Sequence, residues 1–416
     1  MGYQPRIVDG ELADRLTSTG AVVIEGPRAC GKTATARRAA GSEVLLDVDR
    51  AARVAAGVDP GLILAGRTPR LIDEWQIEPD IWNHVRRAVD ERAAPGQFIL
   101  TGSALPADDA TRHTGAGRFG RLRMRPMSLL ESGHSTGAIS LAALFDDVTD
   151  GAVDPGLSVP DLAERIVVGG WPGLQRLSTR GAARSVQDYL DEVVRVDVAR
   201  AGDRRPESDR VAVVARSLAR NTATYAAATT IAADAGGPDG PLSDDTVRSY
   251  LAALTRVMVT EDQPAWTTRL RSRSTLRSSP KRHFVDPSLA AAALRATPQR
   301  LLADLETMGF LFESLVVRDL RVYAQANDAT VLQYRDNTGL EVDAVVQAAD
   351  GRWGALEVKL GTRAVDEAAA TLLRFADRID TDHVGAPSVI GVIVATGPGY
   401  RRPDGVHVIP IGALGP

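Results

Sequence analysis

The chain has 416 residues, of which 44% are hydrophobic and 25% are charged, and a formal net charge of −4. This length exceeds what one hydrophobic core usually organises, so we expect two or three domains in a soluble globular protein. The net charge gives no general attraction to nucleic acid, and the single cysteine, Cys30, excludes an internal disulfide and a cysteine-based zinc site. No apolar run reaches membrane-spanning length, so we expect a cytoplasmic protein without a membrane partner.

Lysine is almost absent from the sequence. Lys32, Lys281 and Lys359 are its three lysines, and arginine supplies the other fixed positive charges. Because an ammonium and a guanidinium are not interchangeable, the positions that retain lysine are candidates for chemistry that needs an ammonium. A codon bias explains the scarcity of lysine, but it does not explain why Lys32 and Lys359 each close a recognisable motif.

The first region, residues 1–145, alternates short apolar runs with helical stretches. Strands are predicted at residues 21–25, 43–47, 71–73 and 98–101, with a helix at 33–40 after the first strand. Strands that alternate with helices predict an α/β fold with a parallel sheet.

Residues 26–33 match the phosphate-binding pattern G-x-x-x-x-G-K-[ST] at every fixed position and lie between a predicted strand and a predicted helix. Backbone N–H groups at the start of the helix can surround a β-phosphate, Lys32 can bridge the β- and γ-phosphates, and the Thr33 hydroxyl can ligate Mg²⁺. We therefore predict binding of ATP and ADP with Mg²⁺. The predicted nucleotide-binding residues are Gly26, Arg28, Ala29, Cys30, Gly31, Lys32, Thr33 and Ala34.

Residues at the ends of later strands are predicted to complete this site. Asp73 can join the Mg²⁺ shell and Glu74 can polarise the attacking water, whereas Ser103 is a candidate sensor of the γ-phosphate. Among four arginines between residues 118 and 125, Arg118 is the preferred arginine finger. A finger that acts on a neighbouring subunit requires at least a homodimer; a solvated basic surface is the alternative for each arginine.

The second region, residues 160–290, follows a linker-like stretch at 133–160 and is predicted to be mostly helical. Ser243 is predicted to be an N-cap, and an apolar stripe at helical spacing follows it. Residues 257–259 and the arginine-rich stretch after them could form the wing of a winged-helix-like domain.

Residues 269–282 form a dense basic stretch with serines between the charges. Its members are Arg269, Arg271, Arg273, Arg277, Lys281 and Arg282. The stretch could contact the phosphates of DNA or RNA. A solvated loop, or a surface that docks onto acidic neighbours, accounts for it equally well.

The third region, residues 295–416, is predicted to have the order α-β-β-β-α-β. The predicted helices are at 304–325 and 364–378, and the predicted strands are at 330–334, 340–347, 353–359 and 389–395. Asn337–Gly339 and Ala349–Gly351 have the composition of the turns that join the first three strands.

Motifs along the chain carry a family resemblance. They are residues 26–33, 72–76, 98–103, 125–131, 168–172, 246–251, 280–286 and 309–313. Together they resemble a widespread prokaryotic family that couples an AAA-type ATPase domain to a C-terminal domain of unknown function, DUF4143. The resemblance implies a P-loop ATPase domain, a winged-helix-like middle domain and a restriction-endonuclease-like C-terminal domain.

Two predicted strands of the third region carry a nuclease-like pattern. Asp343 lies on one strand, and Glu357 and Lys359 share one face of the next, so a hairpin can bring the three side chains together. Paired carboxylates suit Mg²⁺ or Mn²⁺, Lys359 can orient a water, and Glu313 on the preceding helix can complete the metal shell. The arrangement resembles the PD-(D/E)xK nuclease superfamily. Cross-strand ion pairs, or an inert binding platform, are the alternatives.

We therefore expect an Mg²⁺-dependent ATPase coupled to a nuclease-like domain that acts on DNA or RNA. The main alternative is an ATP-switched scaffold that binds nucleic acid or a protein without cutting it. A small-molecule kinase is a weaker interpretation, since no acceptor site is evident.

Overall fold

The structure is a computed structural model that describes residues 2–102, 114–149, 151–198, 208–236, 240–268 and 279–416. The chain divides into two compact units. The first is Met1–Pro126 with Arg256–Met258, and the second is Met127–Thr255 with Val259–Pro416.

Helices and strands alternate along the first unit. Its helices are α1 (Val8–Ser18), α2 (Lys32–Ala39), α3 (Arg50–Val58) and α4 (Ile81–Arg92). Its strands are β1 (Ala21–Glu25), β2 (Ser42–Leu45), β3 (Arg70–Asp73), β4 (Phe98–Gly102) and β5 (Phe119–Arg123). The interior strands β1 and β4 are almost completely buried apolar runs, as expected when both faces of a sheet are covered.

The strands of the first unit pair in the order β2-β3-β4-β1-β5, and every pairing among them is parallel. The predicted parallel α/β sheet is thereby confirmed, and β5 is a further strand beyond the predicted ones. Trp82 of α4 stacks on Phe119, the first residue of β5, with ring centroids 4.0 Å apart. This stack holds the edge strand against the helix layer.

The second unit contains a helical part and a mixed sheet. Its helices are α5 (Leu141–Phe145), α6 (Val159–Val168), α7 (Thr179–Glu192), α8 (Ser208–Arg220), α9 (Ala228–Asp234), α10 (Asp244–Arg256), α11 (Pro287–Ala293), α12 (Pro298–Ala303), α13 (Leu305–Ala326), α14 (Val365–Arg378) and α15 (Thr381–Val384). The Ser243 hydroxyl accepts a hydrogen bond from the Thr246 N–H at 3.2 Å, which confirms the predicted start of α10.

The strands of the second unit are β6 (Ile139–Ser140), β7 (Gly151–Ala152), β8 (Ala329–Arg335), β9 (Glu341–Ala348), β10 (Trp353–Lys359), β11 (Val389–Val394), β12 (Gly399–Arg401), β13 (His407–Pro410) and β14 (Leu414–Gly415). The main sheet has the order β7-β12-β13-β11-β10-β9-β8, and β14 pairs with β6 separately. The predicted order α-β-β-β-α-β is present as α13-β8-β9-β10-α14-β11. Strands β13, β12 and β7 extend the sheet beyond the predicted ones.

Strands β8, β9 and β10 are antiparallel, whereas β10 and β11 are parallel and α14 forms the crossover between them. The hydrophobic core on this side of the sheet includes Trp353, Phe375 and Trp266. Trp353 belongs to β10 and Phe375 belongs to α14, whereas Trp266 comes from the segment that precedes the basic stretch.

An extended segment, residues 260–266, joins the helical part to this sheet. Thr260 bridges to Phe284 and Gln263 bridges to Lys281, both in antiparallel fashion. At its far end the Trp266 N–H donates to the Gln333 carbonyl of β8 at 2.6 Å. The paired segments at 260–263 and 281–284 lie before and after residues 269–278 in the sequence. Residues 269–278 lie outside the described residues, so the predicted wing stays a prediction.

In the described part of the chain, no helix is both long and apolar enough to cross a membrane.

Candidate functional site

The loop between β1 and α2 follows a tight path that requires glycine at two positions. A Cβ at Gly26 would lie 2.2 Å from the Met124 carbonyl oxygen, so a side chain has no room there. Gly31 has φ of 108°, in the region that favours glycine, and it is the N-cap of α2. The loop therefore presents its backbone N–H groups at the start of a helix, as an anion site requires.

The Lys32 side chain folds back over this loop. It is 6% exposed, and its ammonium donates to the Gly26 and Pro27 carbonyls at 2.9 Å each. Phosphate oxygens are stronger acceptors for an ammonium than carbonyls are. The charge is thus held at the loop in a position to exchange carbonyl partners for a phosphate.

Thr33, Asp73 and Thr101 meet at the carboxyl edge of the sheet. The Thr33 hydroxyl donates to Asp73 Oδ1 at 2.9 Å, and the Thr101 hydroxyl donates to the same oxygen. A hydroxyl and a buried carboxylate side by side are hard oxygen ligands of the kind Mg²⁺ prefers. The residues present therefore fit a magnesium ion next to the phosphate loop.

Glu74 follows Asp73 in a left-handed backbone conformation, with φ of 54°. Its carboxylate accepts a hydrogen bond from the Gln76 amide. Non-glycine residues in this conformation are uncommon and concentrate at functional sites, because the surrounding structure must offset the strain.

The other predicted nucleotide-site residues have different surroundings. Arg28, Ala29 and Ala34 are exposed along the loop and the first turn of α2, whereas Cys30 is completely buried. Ser103 lies outside the described residues.

Arg118 lies at the amino ends of the strands, whereas the phosphate loop lies at their carboxyl ends. Its carbonyl accepts from the Ala21 N–H at the start of β1, and its guanidinium pairs with Asp90 at 2.8 Å. Strand β1 separates it from Gly26, so it does not reach the phosphate loop of its own chain. Its role as a finger in a neighbouring subunit stays a prediction.

Arg6 is a residue of this site that the sequence does not predict. Its buried guanidinium donates to the Cys30 carbonyl and to the Arg125 carbonyl at 2.8 Å each. It therefore fastens the phosphate loop to the residues after β5. No local pattern marks Arg6 in the sequence, since both partners are backbone atoms distant along the chain.

The second group of predicted residues lies in the sheet of the second unit. The register that pairs Leu356 with Ala344 sets Asp343 of β9 beside Glu357 of β10. The Val358 N–H donates to Asp343 Oδ2 at 3.0 Å, and Lys359 Nζ lies 2.6 Å from Glu357 and 3.8 Å from Asp343. The structure thus brings Asp343, Glu357 and Lys359 together, as the hairpin argument expects.

Lys281 is the unexpected member of this group. Its ammonium lies between Glu313 of α13 and Asp343, 2.9 Å from Asp343 Oδ1, and the residue is 3% exposed. In this structure an ammonium occupies the space between Glu313 and Asp343, and the role of Glu313 in a metal shell stays a prediction. Among the described residues, no group of three or more His, Cys, Asp or Glu side chains could hold a metal ion.

The charges within the cluster are strongly coupled. Burial raises the pKa of Glu313 and of Glu357 above the usual carboxyl range, and the neighbouring Asp343 adds to both shifts. Burial also disfavours ionisation of Asp343, but Lys281 and Lys359 outweigh it and lower the pKa of Asp343. Asp343 is therefore the most firmly ionised carboxylate of the three.

The cluster faces a cleft of about 740 Å³. Tyr225 and Arg335 line it beside Lys281 and Lys359, and the Arg335 guanidinium lies over the Tyr225 ring at 4.8 Å. A cleft with positive groups around buried carboxylates can receive a phosphate-bearing ligand.

The end of the basic stretch is turned inward. Lys281 contacts the cluster, and Arg282 pairs with Asp262 and donates to the Ala226 carbonyl at 3.2 Å. These two residues thus pair with acidic residues of the same chain, which agrees for them with the alternative of docking onto acidic neighbours, and contact of the stretch with phosphates stays a prediction. Arg269, Arg271, Arg273 and Arg277 lie outside the described residues.

Known families match both groups of residues. Residues 18–132, with the phosphate loop, match the AAA_14 family, described as an AAA domain, and residues 308–414, with Asp343 and Glu357, match the domain of unknown function DUF4143. The chain carries an AAA domain and a DUF4143 domain. This confirms the family resemblance found in the sequence. Between the AAA domain and the DUF4143 domain, residues 159–300 match another domain of unknown function, DUF8612.

Similar whole chains exist in mycobacteria. The uncharacterized proteins Rv2008c of Mycobacterium tuberculosis and Mb2031c of Mycobacterium bovis are each 25% identical over 347 residues, which cover 81% of this chain and 70% of the relative. Among solved structures, the Walker-type ATPase PABY2304 of Pyrococcus abyssi matches 69% of this chain and 94% of its own, at 14% identity and a TM-score of 0.43.

Proposed function

We propose that the protein is an Mg²⁺-dependent ATPase whose nucleotide site is the phosphate loop of its AAA domain. The observation that carries this proposal is the hydrogen bond from Thr33 to Asp73, which joins the loop to a carboxylate two strands away in the sheet. This pairing puts a loop hydroxyl and an acidic strand end beside the ammonium of Lys32, the combination that nucleotide hydrolysis needs.

In this proposal each residue of the nucleotide site has a separate role. Mg²⁺, when bound, supplies charge neutralisation at the phosphates, and Thr33 and Asp73 would hold it. Lys32 exchanges the Gly26 and Pro27 carbonyls for phosphate oxygens. Glu74 accepts the proton of the attacking water, and Arg6 keeps the loop in place.

Hydrolysis of ATP by the purified full-length chain tests this function. Lys32→Ala and Asp73→Asn should each lower kcat by about 100-fold or more, because each removes charge stabilisation at the phosphates. Arg37→Ala is the matched control, since Arg37 is an exposed residue of α2 paired with Glu43. Hydrolysis that survives both site variants would show that the activity comes from elsewhere.

We also propose that ATP binding governs a phosphodiester-cleaving site in the second unit, with DNA or RNA as substrate and Mg²⁺ or Mn²⁺ as the metal. The contact of Lys359 with Glu357 and Asp343, in an open cleft, favours this second function. Asp343 and Glu357 would hold the metal, and Lys359 would orient the water.

Cleavage of end-labelled single- and double-stranded DNA and RNA, with either metal and with or without ATP, tests the second function. Asp343→Ala should reduce cutting to background, whereas Asp350→Ala, in the exposed turn of the same hairpin, should leave it unchanged. If the wild type hydrolyses ATP but cuts none of these substrates, the alternative of an ATP-switched binding scaffold is favoured.

We propose four further properties of the protein. They are a winged-helix-like middle domain at 160–290 beside the domains at 1–145 and 295–416, contact of the basic stretch with DNA or RNA, a homo-oligomer, and a cytoplasmic location. A pulldown of nucleic acid with and without Arg269, Arg271, Arg273 and Arg277, and the mass of the particle with and without ATP, test the two that concern partners.

A further inference from the structure

We propose that a cavity between α6, α7 and α11 is a binding site for a small organic anion, a molecule with an apolar body and one carboxylate, sulfonate or phosphate group. The cavity has a volume of about 530 Å³, within the range of small-molecule sites in proteins. Its described lining residues lie between residues 164 and 299, inside the DUF8612 match. None of them belongs to the phosphate loop or to the carboxylate cluster.

The interior of this cavity is apolar. Val167 of α6, Val186 of α7 and Ala292 of α11 line it, together with Ala183 of α7 and Ala296, which follows α11. Alanine side chains end at Cβ, so three of these five positions leave space between helices that pack against one another. The apolar body of a ligand can lose its contact with water in this space, which favours binding.

One polar wall of the cavity is fixed by hydrogen bonds within the chain. Ser288 lines the cavity, and its hydroxyl donates to Asp286 at 2.5 Å and accepts the indole N–H of Trp171 at 2.9 Å. Asp286 in turn pairs with Arg318 at 2.9 Å, and all four side chains are buried. The wall is therefore preformed, and the charge of a ligand has to be met by other residues.

Three arginines supply that charge. Arg180 and Arg184, one turn apart on α7, line the cavity together with Arg295, which follows α11. Within the described part of the chain, none of the three side chains forms an ion pair or a hydrogen bond. Other exposed arginines of the second unit, such as Arg220 and Arg352, pair with aspartates. The guanidinium groups at the cavity are thus available to a ligand.

The acidic counterpart at the cavity is small. Glu164 is the one acidic side chain among the described lining residues, and its carboxylate accepts from the Thr179 hydroxyl at 3.2 Å and lies 3.4 Å from Arg165. Three arginines against one glutamate leave a formal charge of +2 around the cavity. Guanidinium groups donate paired hydrogen bonds to carboxylate, sulfonate and phosphate oxygens. An apolar body with an anionic group is therefore complementary to this site.

Fluorescence titration of the full-length chain with 1-anilinonaphthalene-8-sulfonate tests the proposal, because this anion has an apolar aromatic body and one sulfonate. Its matched control is N-phenyl-1-naphthylamine, which has the same body without the charge. We expect one site per chain and binding of the anion at least about tenfold tighter than that of the neutral amine, since charge-assisted hydrogen bonds add to the apolar contact. Decanoate should displace the bound anion.

Two variants separate the charge of the site from its space. Arg180→Gln with Arg184→Gln should weaken binding of the anion at least about tenfold and change that of the neutral amine by no more than about twofold. Ala183→Leu fills the cavity and should weaken binding of both ligands. Arg220→Gln, at an exposed position of α8, is the control and should change neither.

The arginine variant decides the question even if Ala183→Leu fails to fold, because substitutions at exposed positions rarely disturb the fold. Circular dichroism of each variant checks that a loss of binding is not a loss of structure. Equal affinity of the two ligands, unchanged binding of the anion by the arginine variant, or no binding of the anion would each overturn the proposal. Displacement of the anion by a single-stranded oligonucleotide but not by decanoate would overturn it as well, since the arginines would then serve a nucleic-acid backbone.

Discussion

His283 illustrates, at the scale of one residue, how the interior near the carboxylate cluster sets protonation. Its ring is completely buried, with Nδ1 3.2 Å from the Ser314 hydroxyl and Nε2 3.2 Å from the Gln263 amide oxygen. Burial lowers the pKa of His283 well below its usual value, and the nearby positive charges of Arg321 and Lys281 lower it further. The negative charges of Asp343 and Glu261 act in the opposite direction but do not outweigh these effects.

This neutral ring makes stability depend on pH. An unfolded histidine binds a proton below about pH 6.5. Because the folded ring stays neutral, its contribution to stability is fully present above that pH and is lost as the pH falls. Between pH 7.5 and 5.5 it should cost about 1.4 kcal/mol of unfolding free energy. Urea unfolding of the wild type and of His283→Gln at both pH values measures the difference, and an equal loss in the two proteins would contradict it.

Single residues differ in how visible they are in a sequence. The phosphate loop is predictable because its chemistry lies within eight consecutive residues, and Asp73 follows from a strand end nearby. Lys281 is not predictable as a partner of Glu313 and Asp343, because a run of arginines masks it and its partners are 32 and 62 residues away along the chain. The scarcity of lysine and the motif at residues 280–286 single out Lys281, but neither of them names its partners.

At the scale of elements, a buried arginine joins several segments of the second unit. Arg318 of α13 pairs with Asp286, which precedes α11, at 2.9 Å and with Asp319 at 2.7 Å. Asp286 accepts the Gly170 N–H, and Asp319 accepts the Leu129 N–H, each at 2.9 Å. Three of the motifs behind the family resemblance thus meet at one guanidinium, which gives them a structural explanation.

Removal of this guanidinium should be costly. Arg318→Leu leaves two buried aspartates without their cation, so we expect a loss of about 3–5 kcal/mol in the free energy of unfolding. Arg300→Leu, at an exposed position on α12, should change stability by no more than about 0.5 kcal/mol. Urea unfolding of the two variants provides the comparison. A small effect at Arg318 would mean that water reaches Asp286 and Asp319 after the substitution.

Helices and strands were predictable from the sequence where their apolar segments were long. The 22-residue helix α13 and strands β8 to β10 are mostly apolar segments and lie close to their predicted bounds. Strand β7 has two residues and exists through its pairing with β12, so its own sequence carries no periodic signal. Strand β5 contains arginine at alternate positions, which hides its apolar face.

At the scale of the whole molecule, the regions into which composition divides the second unit differ from the groups of residues that pack together in it. Composition separates a helical region from a later sheet region, but Gln263 donates to Leu332, 69 residues away, and Trp266 enters the core of the sheet. Pairing over such a distance depends on tertiary structure, which local patterns do not encode. The match of separate families to residues 159–300 and 308–414 therefore conceals a shared core.

The rarity of lysine has a practical consequence for work with this protein. Lys32 and Lys281 are buried, whereas the Lys359 side chain is 33% exposed. An amine-acylating dye or crosslinker therefore finds, among the side chains, one accessible target, and that target lies at the carboxylate cluster. The guanidinium groups that carry the surface charge do not react with such reagents, so an environment-sensitive label attached to a side chain of the natural sequence would report from this position.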